Sequence, residues 1–81
     1  MPTRDRPELL LAFGRAVRTM RTARGISQER LAEQVGIHRT YIGDVERGLR
    51  NVGLLNVDRI TRALGTDLVG LMTEVEAARR Q

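Results

Sequence analysis

The chain has 81 residues, the size of one small domain with a thin hydrophobic core. It has no cysteine and a single histidine, His38, which excludes disulfide bonds, thiolate metal sites and a metal site built from histidines. The net charge is +4, and the longest apolar run, residues 9–13, is too short to span a bilayer. We therefore expect a cytoplasmic protein without metal, cofactor or small-molecule ligand, whose charge permits a polyanionic partner.

The chain shows no strand-like alternation, so the sequence predicts an all-α fold. Pro7 and Glu8 suit the start of a first helix, with Asp5 as its possible cap, and Gly25 suits its end. The inward positions of this helix recur at helical spacing: Leu10, Phe13, Val17 and Met20.

A second and a third helix follow. Ser27 is expected to cap the second, which Gly36 ends, and the third runs from about residue 38 to residue 47 and stops at Gly48. The inward residues of the second helix are Leu31, Ala32 and Val35.

A fourth helix covers about residues 55–64 and is ended by Gly65. Asp67 caps a fifth helix, after which residues 77–81 are expected to fray. The apolar stripe of the fifth helix is predicted to contain Leu68, Leu71, Met72 and Val75.

The two short helices with Gly36 at their junction form the pattern of a helix-turn-helix. A sharp turn requires a positive φ, which glycine adopts without strain. Ala32 faces the crossing of the helices, where a larger side chain would push them apart. Apolar contacts around this crossing are expected from Leu31, Val35, Ile37, Ile42 and Val45.

Residues 25–51, GISQERLAEQVGIHRTYIGDVERGLRN, resemble the DNA-binding motif of the phage-repressor and Cro-type family, also called the XRE family. The matching positions are Gln28, Leu31, Ala32, Gly36, Ile42, Val45, Glu46 and Gly48. Arg21 and the run VDRITRALGTDLVGL extend the similarity to residues 10–72. Within the family, HRTYIGDVERGLRN is most similar to the small controller proteins of restriction–modification systems. The resemblance implies one compact five-helix repressor-like domain, residues 1–81, with its helix-turn-helix at residues 27–48.

The outer face of the third helix is expected to enter the major groove of double-stranded DNA. The resemblance implies that Arg39, Thr40 and Asp44 read bases. Arg39 suits O6 and N7 of guanine, and Thr40 suits a base edge or a thymine methyl group. A solvated surface side chain is the alternative for Arg39.

Asp44 and Gly43, on the same face, are harder to explain as contacts with DNA. The carboxylate of Asp44 is repelled by phosphates, so it accepts from N4 of cytosine, orients Arg47 or Arg39, or lies on the helix surface. Gly43 costs about 1 kcal/mol relative to alanine inside a helix. We interpret its missing side chain as room for the groove, or as room for a neighbouring side chain to fold across it.

Further residues are expected near DNA phosphates: Ser27, Gln28, His38, Tyr41, Arg47, Arg50 and Asn51. Gln28 lies at the start of the second helix, where N–H groups and the helix dipole attract anions. The alternatives are a solvent-facing amide for Gln28, local capping or packing for His38, and a plain basic loop for Arg47, Arg50 and Asn51. Tyr41 can pack its ring and still present its hydroxyl.

Arg21 and Glu46 have a structural interpretation instead. The resemblance implies a partly buried ion pair between the first and third helices, and Glu46 lies on the inward side of the helical wheel. The chain departs from the family at Val52 and Gly53, where proline and then serine or threonine are common, and this departure weakens the cap of the fourth helix.

A motif of this size reads one half-site weakly, so dimers that read half-sites about 34 Å apart are usual. The fifth helix and tail, residues 67–81, are the expected dimerisation segment. Candidate interface residues are Leu55, Val57, Val69, Met72 and Val75, with completion of a thin core as the alternative. The fold itself is expected to bury Leu54, Ile60, Leu64, Leu68 and Leu71.

The sequence therefore predicts a homodimeric, nucleoid-associated transcription regulator of the controller type, which binds palindromic operators upstream of its own gene. The chain ends soon after the fifth helix, so we expect no ligand-sensing domain. The alternatives are an antitoxin or phage-type repressor and, from another class, a helical protein-interaction module without DNA binding. An enzyme is not expected, because no nucleophile–base pair is recognisable.

Overall fold

The computed structural model describes residues 7–81 and contains five α-helices and no strand in that range. The helices are α1 Glu8–Ala23, α2 Gln28–Val35, α3 Arg39–Glu46, α4 Leu54–Ala63 and α5 Leu68–Arg79. The all-α, five-helix prediction is confirmed. Asp5 lies outside the described residues, and Pro7 occupies the N-cap position of α1. None of the helices from α1 to α5 combines the length and the apolar character needed to cross a membrane.

Side chains cap two of the helices where the sequence predicted caps. The hydroxyl of Ser27 accepts a hydrogen bond of 3.0 Å from the backbone N–H of Arg30 at the start of α2. The carboxylate of Asp67 accepts one of 2.8 Å from the N–H of Gly70 at the start of α5. Such caps satisfy N–H groups that have no partner inside the helix.

The hydrophobic core lies where α1 packs along α5 and against α3, while α2 packs against α3 and α4. All five helices contribute fully buried side chains, the largest of which are Val17, Leu31, Ile42, Val45, Ile60, Leu71 and Val75. The buried hydroxyl of Thr61 donates a hydrogen bond of 2.7 Å to the carbonyl of Val57. A core drawn from every helix fixes the orientation of α3, because its buried face cannot rotate without opening the packing.

Gly14 allows α1 to approach α3 closely. A Cβ atom at this position would lie 2.6 Å from the carbonyl oxygen of Glu46 and would also overlap the carbonyl of Val45. Because both atoms belong to the backbone of α3, neither can move aside cheaply. No pattern in the sequence pointed to this glycine.

The distribution of apolar residues on α4 and α5 differs from the expectation. Val57 and Val75 were predicted at a dimer interface, but only 9% and 1% of their surfaces are exposed. They complete the core of the chain itself, so they present almost no surface to a second copy, and their assignment to the interface is wrong.

Leu54 and Leu68 depart from the expectation in the opposite sense. They were predicted to be buried, yet they are 74% and 39% exposed. Leu54 lies in the first turn of α4, at the rim of a groove that it shares with Leu9 and Met72. Of the predicted stripe of α5, Leu71 and Val75 are buried, whereas Leu68 and Met72 are exposed, and Ala78 completes the buried face.

The end of α5 is also more ordered than expected. The helix continues to Arg79, where fraying of residues 77–81 was predicted. Ala78 is buried, and the guanidinium of Arg79 donates a hydrogen bond of 3.1 Å to the carboxylate of Glu8 in α1. The contact with α1 therefore holds the last turn of α5 in place.

Candidate nucleic-acid interface

The turn between α2 and α3 is built on Gly36. This residue has a φ of 85°, in the left-handed region, and its N–H donates a hydrogen bond of 2.8 Å to the carbonyl of Ala32. The short turn lets Leu31 and Ala32 of α2 pack with Ile42 and Val45 of α3, and all four are buried. One side of α3 is thereby fixed against the core, and its first turn projects outward.

Arg39 and Thr40 lie in this first turn, and both are exposed. The Nε atom of Arg39 lies 3.5 Å from a carboxylate oxygen of Glu29 in α2, and the two side chains are 58% and 70% exposed. Because exposed ion pairs contribute little free energy, Arg39 can leave Glu29 at small cost when a better acceptor approaches. The sequence carries no sign of this pair, because its members lie on different helices.

Asp44 forms the centre of a cluster with Arg47, Arg50 and Tyr41, which we call the Asp44 cluster. One carboxylate oxygen accepts a hydrogen bond of 2.6 Å from Arg47, and the other accepts two from Arg50, at 3.3 Å and 3.4 Å. The guanidinium of Arg50 also lies over the ring of Tyr41, 5.2 Å from its centroid, within the range of a cation–π interaction.

This arrangement separates the three interpretations of Asp44. Both carboxylate oxygens are engaged by arginines, and the side chain is 17% exposed. Of the two arginines considered as partners, Arg47 contacts Asp44, whereas Arg39 contacts Glu29. The geometry therefore favours the orientation of arginines over direct acceptance from a cytosine.

Glu46 joins three helices behind the interface. Its carboxylate accepts hydrogen bonds from Nε and Nη2 of Arg21 at 2.6 Å and 3.1 Å, and from the amide of Gln28 at 2.9 Å. Arg21 also donates to the carbonyl of Ile26 at 2.9 Å. The hydrogen bond and the charge of Glu46 raise the pKa of Arg21 above its ordinary value, against the opposing effect of burial. The arginine thus stays charged, and the ion pair expected from the resemblance has a third member.

Gly43 is buried, although the helical wheel placed it on the outer face. The side chains of Arg47 and Gln28 cover it, and a Cβ atom built there would lie 3.6 Å from Nη1 of Arg47 and 3.7 Å from Oε1 of Gln28. Of the two interpretations of its missing side chain, the structure therefore supports neighbouring side chains that fold across the glycine. These distances correspond to ordinary van der Waals contact, so an alanine would fit.

The other residues predicted near phosphates lie at helix starts and in the loop after α3. Ser27 and His38 are exposed at the N-caps of α2 and α3, and Asn51 is exposed between α3 and α4. Within residues 7–81, the side chain of His38 makes no capping hydrogen bond, unlike that of Ser27. Gln28 is half-buried, and its amide nitrogen faces Glu46. The link between Gln28 and Glu46 carried no signal in the sequence, because the two residues are 18 positions apart.

Comparison with known proteins also identifies a helix-turn-helix in this chain. A family model described as helix-turn-helix matches residues 17–71. The control protein C.BamHI of Bacillus amyloliquefaciens is 52% identical over 56 residues, which are 68% of this chain and 69% of that protein.

Solved structures of two controller proteins are also similar. The restriction–modification controller protein C.AhdI from Aeromonas hydrophila has a TM-score of 0.74 and 47% identity, over 76% of this chain and 94% of that chain. The controller protein C.Esp1396I, solved as a tetramer in complex with its natural 35 base-pair operator, has a TM-score of 0.83 and 26% identity. That match covers 90% of this chain and 96% of the other.

Proposed function

Since this chain belongs to the helix-turn-helix family of DNA-binding regulators, we propose that it is a control protein of a restriction–modification system. In this proposal it binds as a homodimer to a palindromic operator upstream of its own gene and regulates transcription there. The observation that carries the proposal is the first turn of α3, which projects Arg39 and Thr40 outward while the opposite side of the helix is buried.

Arg39 and Thr40 are the residues that we assign to base recognition. The guanidinium of Arg39 presents a fork of donors that matches O6 and N7 of guanine, and the exposed Thr40 follows it in the same turn. In the free protein, Arg39 pairs with Glu29 of α2. This exposed pair is weak, so Arg39 can leave it when DNA binds.

Phosphate contacts are assigned to residues on either side of this turn. Of the Asp44 cluster, Tyr41 lies in the first turn of α3, Arg47 at the C-terminal end of this helix and Arg50 in the loop that follows. Ser27 and Gln28 lie at the start of α2, and His38 lies at the start of α3. Asn51 follows in the loop. The side-chain amide of Gln28 donates one N–H to Glu46. Its other N–H, or the backbone N–H groups at the start of α2, would contact a phosphate.

A second copy of the chain is needed to read a palindrome. An α-helix of eight residues is about 12 Å long, whereas half-sites recur about 34 Å apart, so one α3 serves one half-site. Exposed apolar residues of α4 and α5 suit the contact between copies, and we call them the apolar patch: Leu54, Leu55, Leu68, Val69 and Met72. Met72 connects this patch, since it lines one groove with Leu54 and another with Leu68 and Val69. Exposed apolar surface of this kind marks interaction sites.

Footprinting on the DNA upstream of the gene that encodes this chain tests the proposal. We expect protection of a near-palindromic site, with an affinity that falls steeply with salt, by a log–log slope of about −0.9 for each neutralised phosphate. Protection of two adjacent sites would indicate two dimers, as in a tetramer on DNA. Binding that ignores sequence would contradict the proposal, and a toxin encoded beside the gene and bound by this chain would favour an antitoxin instead.

A further inference from the structure

We propose that Asp44 is a specificity-determining residue: it restrains Arg47 and Arg50 so that their phosphate contacts hold α3 in the register that reads one DNA sequence. This inference rests on the proposed function, and it assigns to Asp44 a positioning role rather than a contact with a base. The observations that carry it are the bridging geometry of the carboxylate, its exposure relative to the two arginines, and the charge of the cluster.

The bridging geometry restrains two arginines from different parts of the chain. Arg47 caps the C terminus of α3, and Arg50 lies in the loop that follows. The two oxygens of Asp44 each take one of them, and Tyr41 holds Arg50 from another side. A guanidinium fork recognises a partner through its direction, so an arginine held from behind has fewer acceptors within reach than one that swings freely.

The relative exposure shows that the carboxylate lies beneath the arginines. The side chain of Asp44 is 17% exposed, whereas those of Arg47 and Arg50 are 63% and 51% exposed. A ligand that approaches α3 therefore meets the guanidinium groups before it meets the carboxylate. The pair of Arg30 with Glu33 on α2 differs, because both of its side chains are more than 60% exposed.

The charge of the cluster limits binding that does not depend on sequence. Two arginines and one aspartate give a net charge of +1 where the arginines alone would give +2. Binding to arbitrary DNA depends on the number of phosphates that are neutralised, so Asp44 weakens it. Binding to an operator also depends on the direction of each side chain, which Asp44 supports. Removal of the carboxylate should therefore strengthen binding to arbitrary DNA more than it strengthens binding to the operator.

The test replaces Asp44 by its neutral isostere, in the variant Asp44→Asn, in the full chain. Two probes are used: a duplex recovered by the wild-type protein from a pool of random sequences, and a shuffled duplex of the same composition. For the variant, we expect the salt slope on the shuffled duplex to steepen by about 0.9, the equivalent of one phosphate. The ratio of the two affinities should fall on the order of tenfold, comparable to the loss of one base contact.

A matched control distinguishes the loss of the restraint on the arginines from the loss of one negative charge. Glu33→Gln makes the same change of net charge and also removes a carboxylate paired to an arginine three residues away, at 3.5 Å, on α2. We expect this variant to keep the wild-type affinity ratio. Arg50→Lys keeps the positive charge of the cluster but not the planar fork, so it should lower the ratio even with Asp44 in place.

The outcomes are distinguishable. If Asp44→Asn folds and keeps the wild-type ratio, the inference is wrong and the proposed function stands. If the wild-type protein recovers no preferred sequence from the pool, the proposed function fails, and this inference fails with it. Thermal melting of each variant shows whether it folds, and Arg50→Lys, on an exposed side chain, carries the test if Asp44→Asn does not.

Discussion

The carboxylate of Glu46 connects three helices, because Arg21 of α1 and Gln28 of α2 both donate hydrogen bonds to it. The side chains of Glu46 and Arg21 are only 4% and 11% exposed. Removal of one member of a buried pair leaves the other charge without compensation, and this loss exceeds the net contribution of the pair. The residue thus supports the fold and also holds Gln28 at the start of α2.

Glu46→Ala should therefore destabilise the protein by about 3–5 kcal/mol in its free energy of unfolding. Asp58→Ala is the control, because Asp58 pairs with Arg62 at 3.2 Å on the surface of α4, where a pair contributes up to about 1 kcal/mol. Denaturant titration measures both values. Equal, small losses in the two variants would contradict the structural role of Glu46.

The two glycines inside α1 and α3 should respond to alanine in opposite directions. At Gly43 a Cβ atom meets only side-chain atoms at 3.6 Å and 3.7 Å, so Gly43→Ala should stabilise the free protein by about 1 kcal/mol. At Gly14 a Cβ atom would overlap the backbone of α3, so Gly14→Ala should destabilise it. Thermal melting of both variants decides this; a stabilised Gly14→Ala would show that α1 and α3 are not so close.

Gly43→Ala also tests whether this glycine serves DNA binding. The new methyl group would touch Arg47 and Gln28, both of which we place near phosphates. If the variant is more stable and binds DNA as well as the wild-type protein does, the glycine has no role in recognition.

At the scale of the helices, side-chain caps decide how α2 and α3 begin. Ser27→Ala removes the hydrogen bond to the N–H of Arg30 and should cost about 1 kcal/mol. His38→Ala, at the equivalent position of α3, should cost much less, because in the described part of the chain the histidine side chain makes no such bond. Denaturant titration compares them, and equal losses would show that the cap of α2 is not the cause.

The helices were predictable because their signals are local. Ser27, Asp67 and Gly36 act on groups within four residues, so the starts of α2 and α5 and the end of α2 could be placed from the sequence. The helix-turn-helix pattern also placed Arg39 and Thr40 on an outer turn, which the structure leaves exposed.

The features that the sequence did not predict depend on contacts between residues that are far apart in the chain. An apolar stripe on α4 or α5 does not show which helix covers it. Leu54 was therefore predicted in the core and Val75 at the dimer interface, whereas the structure exposes Leu54 and buries Val75. The same holds for the site. The pairing of Arg39 with Glu29 and the link of Gln28 to Glu46 join separate helices, and helical periodicity carries no information about them.

At the scale of the whole molecule, the apolar patch predicts how two copies associate. Leu55 and Val69 are 73% and 77% exposed, so serine at both positions should leave the fold intact while it removes apolar surface from the dimer contact. We expect light scattering to show a monomer for this double variant. Leu49→Ser, at a side chain 47% exposed in the loop after α3, should remain dimeric. A dimeric double variant would place the interface elsewhere.

We claim that the exposed first turn of α3 reads DNA sequence, and the affinity of the variant Arg39→Ala measures this. The side chain contacts Glu29 through an exposed pair, so the variant should melt like the wild-type protein. Its affinity is measured for the duplex recovered from random sequences and for the shuffled duplex. We predict that the affinity for the recovered duplex falls roughly 5- to 150-fold, the loss of about 1–3 kcal/mol of base discrimination, while the affinity for the shuffled duplex changes far less. An unchanged ratio of the two affinities would contradict the claim and favour a protein-interaction module.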